Sequence, residues 1–146
     1  MELVVKHFNE LNTKELFDIY KLRVSVFVVE QNCPYQEIDD TDLVSYHMYY
    51  KDKDGIKAYL RIVPKNVTME DVSIGRVISM DRRKGLGSKL LNEGINFIKN
   101  KFYVNKIGIE AQVYAKTFYE LQGFKQISDE FLIDDIPHIK MLYEAL

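Results

Sequence analysis

Residues 73–91, SIGRVISMDRRKGLGSKLL, connect a β-like segment to a helix-like one and say more about function than any other stretch of the chain. Their centre is Arg82-x-x-Gly85-x-Gly87, a glycine turn that carries three consecutive cationic side chains. Glycine lets a backbone turn tightly and approach a ligand closely. The first N–H groups of the following helix lack partners, and the helix dipole favours negative charge there. The stretch therefore predicts a cradle for an anion such as a pyrophosphate, with a solvated basic loop as the alternative.

Two other glycine loops are excluded by spacing. A P-loop reads G-x-x-x-x-G-K-[ST], whereas Lys84 precedes the glycine pair. A dinucleotide fingerprint reads G-x-G-x-x-G, whereas Leu90 stands three positions after Gly87.

The glycine turn resembles the acyl-coenzyme A loop of the GNAT acetyltransferase superfamily, Q/R-x-x-G-x-G/A after a strand. Residues 111–124, AQVYAKTFYELQGF, are similar to that superfamily's A-x-x-F-Y-E-x-x-G-F signature. Residues 26–35, VFVVEQNCPY, and 135–141, DIPHIKM, resemble its ElaA-type branch. The resemblance covers essentially the whole chain. It implies a single α/β (α+β) domain with the acyl-CoA N-acyltransferase fold: a mixed, mostly antiparallel central sheet flanked by helices.

Composition fits one globular domain, residues 1–146. Hydrophobic residues make up 47% of the chain and charged residues 29%, and the net charge is −2. This charge gives no reason to expect nucleic acid or a membrane surface as partner. We expect no signal peptide and no bilayer-spanning segment, and a single cysteine favours a reducing compartment. We therefore expect a cytoplasmic protein.

Periodicity and turn residues predict the order of elements. Asn12, with Glu15 three positions later, predicts a helix N-terminus, followed by Leu16, Ile19, Tyr20 and Phe27 at helical spacing. A hairpin is predicted at 45–63 around residues 52–55. The remaining predicted elements are strands at 3–8, 71–80, 106–113, 124–133 and 138–143, helices at 87–100 and 115–122, and a loop or short helix within 28–44 over the active face.

The resemblance implies N-acetyl transfer from acetyl-CoA to a primary amine of a small molecule or peptide, by direct attack in a ternary complex. The strand end at Val77, Ile78 and Ser79 would diverge from its neighbour and pair with the pantetheine arm. One backbone N–H there would face the thioester oxygen. Gln112 stands where many relatives have asparagine, and fewer residues than usual separate the strand end from Arg82. The residues implied to bind the pyrophosphate are Arg82, Arg83, Lys84, Gly85, Leu86, Gly87 and Ser88. From this we expect Gly87→Val to weaken acetyl-CoA binding and to leave the Tm of the free protein nearly unchanged.

Tyr119 is the predicted general acid, because it occupies the tyrosine of the F-Y-E signature. We place it off a core stripe formed by Tyr114, Phe118 and Leu121. A phenol with a pKa of ~10 can protonate a thiolate whose conjugate acid has a pKa of ~8.5. A core tyrosine is the alternative.

His138 and Glu30 are the predicted general bases, His138 because histidine titrates near neutral pH. Glu30 follows an apolar run, so we expect it near the fold's interior. A structural role for a lone histidine is the alternative. Two acidic groups would attract a cationic amine if they face the acceptor, although most members are expected to be solvated; they are Glu30, Glu37, Asp39, Asp40 and Asp42, and Asp129, Glu130, Asp134 and Asp135.

Other functional classes stay open. The chain could be an acyl-CoA-binding regulatory module without turnover. It could instead resemble the acyl-homoserine-lactone synthases, which take the acyl group from a carrier protein, although a basic docking face is missing outside residues 82–84. No metal-ligand cluster is predicted, Cys33 is expected to be a free buried thiol, and a homodimer is compatible with the resemblance.

Overall fold

The computed structural model describes residues 1–80 and 85–145. Eight strands form one sheet in the order β1-β2-β3-β4-β5-β8-β6, and β7 pairs with β8. The strands are β1 (Glu2–His7), β2 (Tyr46–Asp52), β3 (Gly55–Val63), β4 (Ser73–Ser79), β5 (Lys106–Gln112), β6 (Phe124–Gln126), β7 (Phe131–Ile133) and β8 (Ile136–Glu144). The α-helices of the described residues are α1 (Thr13–Val24), α2 (Leu86–Phe102) and α3 (Lys116–Glu120). Only β4 and β5 pair in parallel among these strands, which confirms the predicted mixed, mostly antiparallel sheet.

The two long helices cover opposite faces of the sheet. Successive side chains of a strand point to opposite faces, and the core divides in the same way. Met48 and Leu60 pack with Leu90 and Ile98 in a hydrophobic cluster under α2, the α2 cluster. Tyr49 and Tyr59 pack with Ile19 in a second cluster under α1, the α1 cluster. The buried face of α2 is the predicted one, formed by Leu90, Leu91, Gly94, Ile95 and Ile98.

Helix α1 begins at the predicted capping box. The Asn12 side chain accepts from the Glu15 backbone N–H at 2.8 Å, and the Glu15 carboxylate accepts from the Asn12 N–H at 2.9 Å. After Val24 the helix widens into a π-helical turn, Ser25–Glu30. This turn places Phe27 and the following Gln31 beside the cleft described below.

The predicted strand at 124–133 is wrong in one respect, because it is two short strands. β6 pairs with the end of β8, with Phe124 opposite Tyr143, and β7 pairs with its beginning, with Phe131 opposite His138. Between them the Ser128 hydroxyl accepts from the Lys140 backbone N–H at 2.8 Å. A side chain thus replaces a strand carbonyl, which interrupts the ladder.

No helix within residues 1–80 and 85–145 has the length and apolar character needed to cross a bilayer.

Candidate functional site

The central feature of the site is a split in the sheet between β4 and β5. The two strands pair at one position, Ser73 opposite Gly108, with a hydrogen bond from the Gly108 N–H to the Val72 carbonyl at 2.9 Å. Beyond this position no further pair joins them in the described structure. The β5-facing backbone edge of β4 is therefore unpaired from Gly75 onward, which agrees with the expected divergence at Val77–Ser79.

A β-bulge lies in β4 at the split. Arg61 pairs with Gly75 and Tyr59 with Ile78, so Leu60 alone opposes both Arg76 and Val77. Arg76 has a φ of +54°, in the left-handed region, which costs a non-glycine residue about 1–2 kcal/mol. The extra residue of the bulge reverses which side chains of β4 point to each face of the sheet. Ile74 before the bulge therefore packs in the α2 cluster, and Ile78 after it packs in the α1 cluster.

A cleft of about 220 Å³ occupies the split. Its walls come from β4, β5, the π-helical turn, the segment after it, and the β7–β8 hairpin. Of the predicted site residues it is lined by Val77, Gln112, Tyr119 and His138. Ile78, Ser79, Gly85, Leu86, Gly87 and Ser88 lie instead where β4 ends and α2 begins.

Tyr119 belongs to both the cleft and the core. Its side chain is only 7% exposed and packs edge-on against Phe118 and Phe124, with ring centroids 5.1 and 5.9 Å away. The predicted stripe is wrong, since Tyr114 is 68% exposed and Leu121 79% exposed. A 3₁₀ turn, Val113–Ala115, precedes α3 and shifts the helical phase, so these positions do not share a buried face. Burial, with a smaller contribution from the neighbouring Tyr114, raises the pKa of the Tyr119 phenol well above its ordinary value.

His138 lies on β8 opposite Gln112 and Phe131. Its Nδ1 is 2.6 Å from the Ile136 carbonyl oxygen. A carbonyl only accepts, so Nδ1 carries a proton and the neutral ring keeps its lone pair on Nε2. Gln112 lies across the cleft from the π-helical turn, and its Nε2 donates to Gln31 Oε1 at 3.4 Å.

Glu30 does not lie where it was predicted. It ends the π-helical turn, is exposed, and is not part of the cleft wall, whereas the next residue, Gln31, is. The widened turn carries the side chain at position 30 outward, so the expectation of a nearly interior Glu30 is wrong. His138 is then the better-placed of the two predicted bases.

The acidic residues divide differently from the prediction. Glu37 and Asp42 are buried rather than solvated, and with Asp39 they bind three arginines. Of the second group only Asp134 lines the cleft, while Asp129, Glu130 and Asp135 are exposed outside its wall. Glu110, on β5, is a cleft carboxylate that sequence reasoning missed.

Arg23, Arg61 and Arg76 form the buried network with these carboxylates. Arg23 is fully buried, and its guanidinium contacts Glu37 Oε2 at 2.8 Å and Asp42 Oδ1 at 2.6 Å. Arg61 Nη1 contacts Asp39 at 2.8 Å and Asp42 at 3.0 Å. Burial acts to raise the pKa of Asp42, but hydrogen bonding and charge from Arg23, with Arg61, outweigh it and hold that pKa below its ordinary range. Three positive charges balance three negative ones, so the network gives the cleft no net charge.

One signal in the sequence could have revealed this network. Arg23 stands four residues after Ile19 and four before Phe27, within the apolar stripe of α1. A charged side chain in such a stripe needs a buried partner. The acidic run at 30–42, which contains no lysine or arginine, supplies it.

His47 is buried beside the network. Its Nε2 is 3.1 Å from the Asp42 carbonyl oxygen and its Nδ1 is 2.7 Å from the Tyr59 hydroxyl. Nε2 therefore carries the proton, and Nδ1 accepts from Tyr59. Burial lowers the pKa of His47 below its ordinary value of about 6.5, and the charges of Arg23 and Arg61 add to this, although Asp42 opposes it.

We expect the free energy of unfolding to fall between pH 7 and pH 5 because of His47. Its pKa is lower in the folded state, so the unfolded chain takes up a proton first. The contribution to stability is complete above about pH 6.5 and is lost as the pH falls toward the folded pKa, by at most about 1.4 kcal/mol per pH unit. Urea unfolding at pH 7, 6 and 5 should show this slope reduced in His47→Gln. An unchanged slope would contradict the assignment.

The start of α2 presents backbone N–H groups near the end of β4. Gly85 is its N-cap with a φ of +65°, and no described side chain caps the first N–H groups. Ser79 Oγ is buried beside this turn and has no hydrogen-bond partner among the described residues. A Cβ at Gly87 would lie 3.0 Å from Ser79 Cβ, so even one carbon there requires its neighbours to shift by a few tenths of an ångström, and valine adds two more carbons. Gly87→Val should therefore lower the Tm as well, contrary to the expectation from sequence.

The predicted cationic residues Arg82, Arg83 and Lys84 lie outside the described residues. Within the described part, no group of three or more His, Cys, Asp or Glu side chains is arranged to hold a metal ion. Cys33 is a buried free thiol, and its Sγ lies 3.6 Å from the Asp134 carbonyl oxygen.

The family model described as "Acetyltransferase (GNAT) domain" matches residues 15–145. The chain belongs to the GNAT acetyltransferase family. GNAT proteins transfer acyl groups from acyl-CoA, and the chain is therefore an N-acyltransferase domain.

Relatives place this GNAT domain in the ElaA-type branch. Protein ElaA of Escherichia coli is 35% identical over 144 residues, covering 96% of this chain and 94% of ElaA. The ElaA crystal structure matches with a TM-score of 0.89 at 34% identity, covering 99% of this chain and 100% of ElaA. An acyl-CoA N-acyltransferase from Pseudomonas aeruginosa matches with a TM-score of 0.90 at 34% identity, covering 98% and 99%. The AHL synthase LasI matches with a TM-score of 0.74 over 98% of this chain and 89% of LasI, but its 16% identity shows the fold alone.

Proposed function

We propose that the chain transfers an acetyl group from acetyl-CoA to a primary amine by direct attack in a ternary complex. The observation that carries this proposal is the shared cleft of Tyr119 and His138 at the split between β4 and β5. A proton donor and a proton acceptor thus line the same cleft beside an unpaired strand edge. That edge leads to the start of α2, where no described side chain caps the first N–H groups.

The residues at the end of β4 fit acyl-CoA. The first N–H groups of α2 and the buried Ser79 hydroxyl, which have no side-chain partner among the described residues, supply donors for a pyrophosphate. The free edge from Val77 to Ser79 can pair with the amides of a pantetheine arm, with Gln112 on the opposite strand. Residues 82–84 would add positive charge.

Starting from an ammonium, the reaction removes two protons from nitrogen and delivers one to sulfur. His138 Nε2 takes a proton from the ammonium, directly or through water, and the amine nitrogen attacks the thioester carbon. A backbone N–H at the bulge stabilises the oxyanion, a contribution worth about 3–4 kcal/mol for one preorganised donor. As the C–S bond breaks, the Tyr119 hydroxyl protonates the departing sulfur, and the remaining extra proton on nitrogen passes to the resulting phenolate, directly or through water.

Charge in the cleft supports a cationic acceptor. Arg61 and Arg76 line it but are neutralised by Glu37, Asp39 and Asp42. Glu110 and Asp134 also line it and contribute negative charge. Such carboxylates attract an ammonium group, and they also stabilise its unreactive form, which is why a base is required. We further propose that the protein acts in the cytoplasm.

A panel of monoamines, polyamines, amino acids and peptides tests the function, with release of CoA from acetyl-CoA as the readout. We expect turnover with a cationic primary amine, and a lower KM where the amine carries a second positive charge. Donors with longer acyl chains define the acyl specificity. Binding of acetyl-CoA without turnover on any amine would support the regulatory module instead. Turnover only with an acyl carrier protein would support a homoserine-lactone-synthase-like activity.

A further inference from the structure

The bulge in β4 is held by a side chain rather than by a glycine. Residues in the left-handed region of a bulge are usually glycine, because other side chains crowd the backbone there. Arg76 takes this conformation at a φ of +54°. It directly precedes Val77, which lines the cleft.

Glu37 accepts two hydrogen bonds from the Arg76 guanidinium. Arg76 Nε donates to Glu37 Oε2, and its Nη2 donates to the Glu37 backbone carbonyl at 2.9 Å. A weaker contact reaches Asp39 Oδ2 at 3.5 Å. The Tyr35 ring covers the guanidinium, with its centroid 5.7 Å from Cζ.

Glu37 is itself fixed. Its carboxylate accepts from Arg23 Nε at 3.0 and 3.1 Å and from Nη2 at 2.8 Å, and the side chains of both residues are buried. Arg23 also donates from Nη2 to the Glu37 carbonyl at 3.2 Å. The contact between Glu37 and Arg76 is therefore fixed to α1 through Arg23, whose side chain has no solvent exposure.

We propose that Glu37, acting through Arg76, is a positioning residue that keeps the β4 bulge in its left-handed form. The bulge in turn directs the backbone at Val77 toward the thioester. This inference rests on the proposed function. In the alternative, the contact serves only to tie residues 31–45 to the sheet.

Two variants of Arg76 separate these roles. Arg76→Ala and Arg76→Gly lose the same contacts with Glu37, but only glycine adopts a positive φ without a Cβ penalty. If the Glu37–Arg76 contact keeps the bulge in its left-handed conformation, Arg76→Ala should lower kcat by about 10- to 100-fold, as expected for a displaced catalytic group. Arg76→Gly should recover most of that loss. Equal losses in the two variants, or an Arg76→Ala enzyme with the kcat of wild type, would overturn the proposal.

Glu37→Gln completes the test. It should lower kcat in the wild-type background and add no further loss in the Arg76→Gly background, because no guanidinium is left to position. A further loss there would contradict the positioning role. The Tm of each variant identifies misfolded protein.

The backbone amide resonance of Val77 provides a readout that is independent of turnover. It should shift in Arg76→Ala and return toward wild type in Arg76→Gly. An amide shift of the same size in both variants would count against the proposal. Absence of turnover in wild type, with these shifts present, would contradict the proposed function and not the positioning role.

Discussion

Replacing Tyr119 by phenylalanine should lower kcat by about 10²–10⁴-fold, the range typical of general acids. The ring and its contacts with Phe118 and Phe124 remain, so the Kd for acetyl-CoA and the Tm should barely change. Because burial raises the pKa of Tyr119, the phenol stays protonated past its ordinary pKa of about 10. The wild-type rate should therefore show no loss of this acid between pH 7 and pH 9.

The leaving group distinguishes proton donation from other roles of Tyr119. An acyl donor with a more acidic thiol needs less protonation, so it should restore much of the rate in Tyr119→Phe. Tyr103→Phe, which alters an almost fully exposed tyrosine after α2, is the matched control and should behave as wild type. Equal rates for wild type and Tyr119→Phe would make Tyr119 a core residue. If the loss of kcat in Tyr119→Phe is the same for donors of different thiol acidity, the hydroxyl only orients the thioester.

Removing the three cations of the glycine turn should weaken acetyl-CoA binding about 100-fold. Arg82→Ala, Arg83→Ala and Lys84→Ala together abolish charge-assisted hydrogen bonds, and two such bonds of about 1.5 kcal/mol each correspond to this loss in Kd. Titration calorimetry measures it, and the remaining affinity should depend less on salt concentration than that of wild type.

The control is a variant in which the exposed residues Lys53, Lys65 and Lys125 are all replaced by alanine. It removes the same three positive charges from a different part of the surface. This variant should bind acetyl-CoA nearly as wild type does. An equal weakening in both triple variants would mean that net charge matters and the turn does not. An unchanged Kd in the Arg82, Arg83 and Lys84 variant would remove the turn from the binding site.

Local signals predicted most of the fold. The Asn12–Glu15 capping box, the hairpin at 52–55 and the buried face of α2 depend on contacts within a few residues or on simple periodicity. The interrupted strand at 124–133 depends on one hydroxyl, that of Ser128, replacing a carbonyl opposite Lys140. Such a substitution leaves no trace in the hydrophobic pattern.

Parts of the candidate site were less predictable, because they depend on the rotation of side chains around irregular helical turns and on ion-pair partners that are distant in sequence. The 3₁₀ turn before α3 rotates Tyr119 inward, and the π-helical turn carries Glu30 outward. Each shifts a side chain by a fraction of a helical turn that an ideal period does not describe. The burial of Glu37 and Asp42 is not visible in the sequence, because their partners Arg23, Arg61 and Arg76 come from three other elements.

The buried charge network also constrains how this sequence can change over evolutionary time. Losing any one of Arg23, Glu37 or Asp42 leaves an uncompensated buried charge, a cost of about 3–5 kcal/mol and a large share of a domain's stability. The viable route to an uncharged interior therefore passes through nearly simultaneous replacements, a strong form of epistasis. Relatives should keep these three residues together or replace them together, while the cleft residues around them diverge with the acceptor.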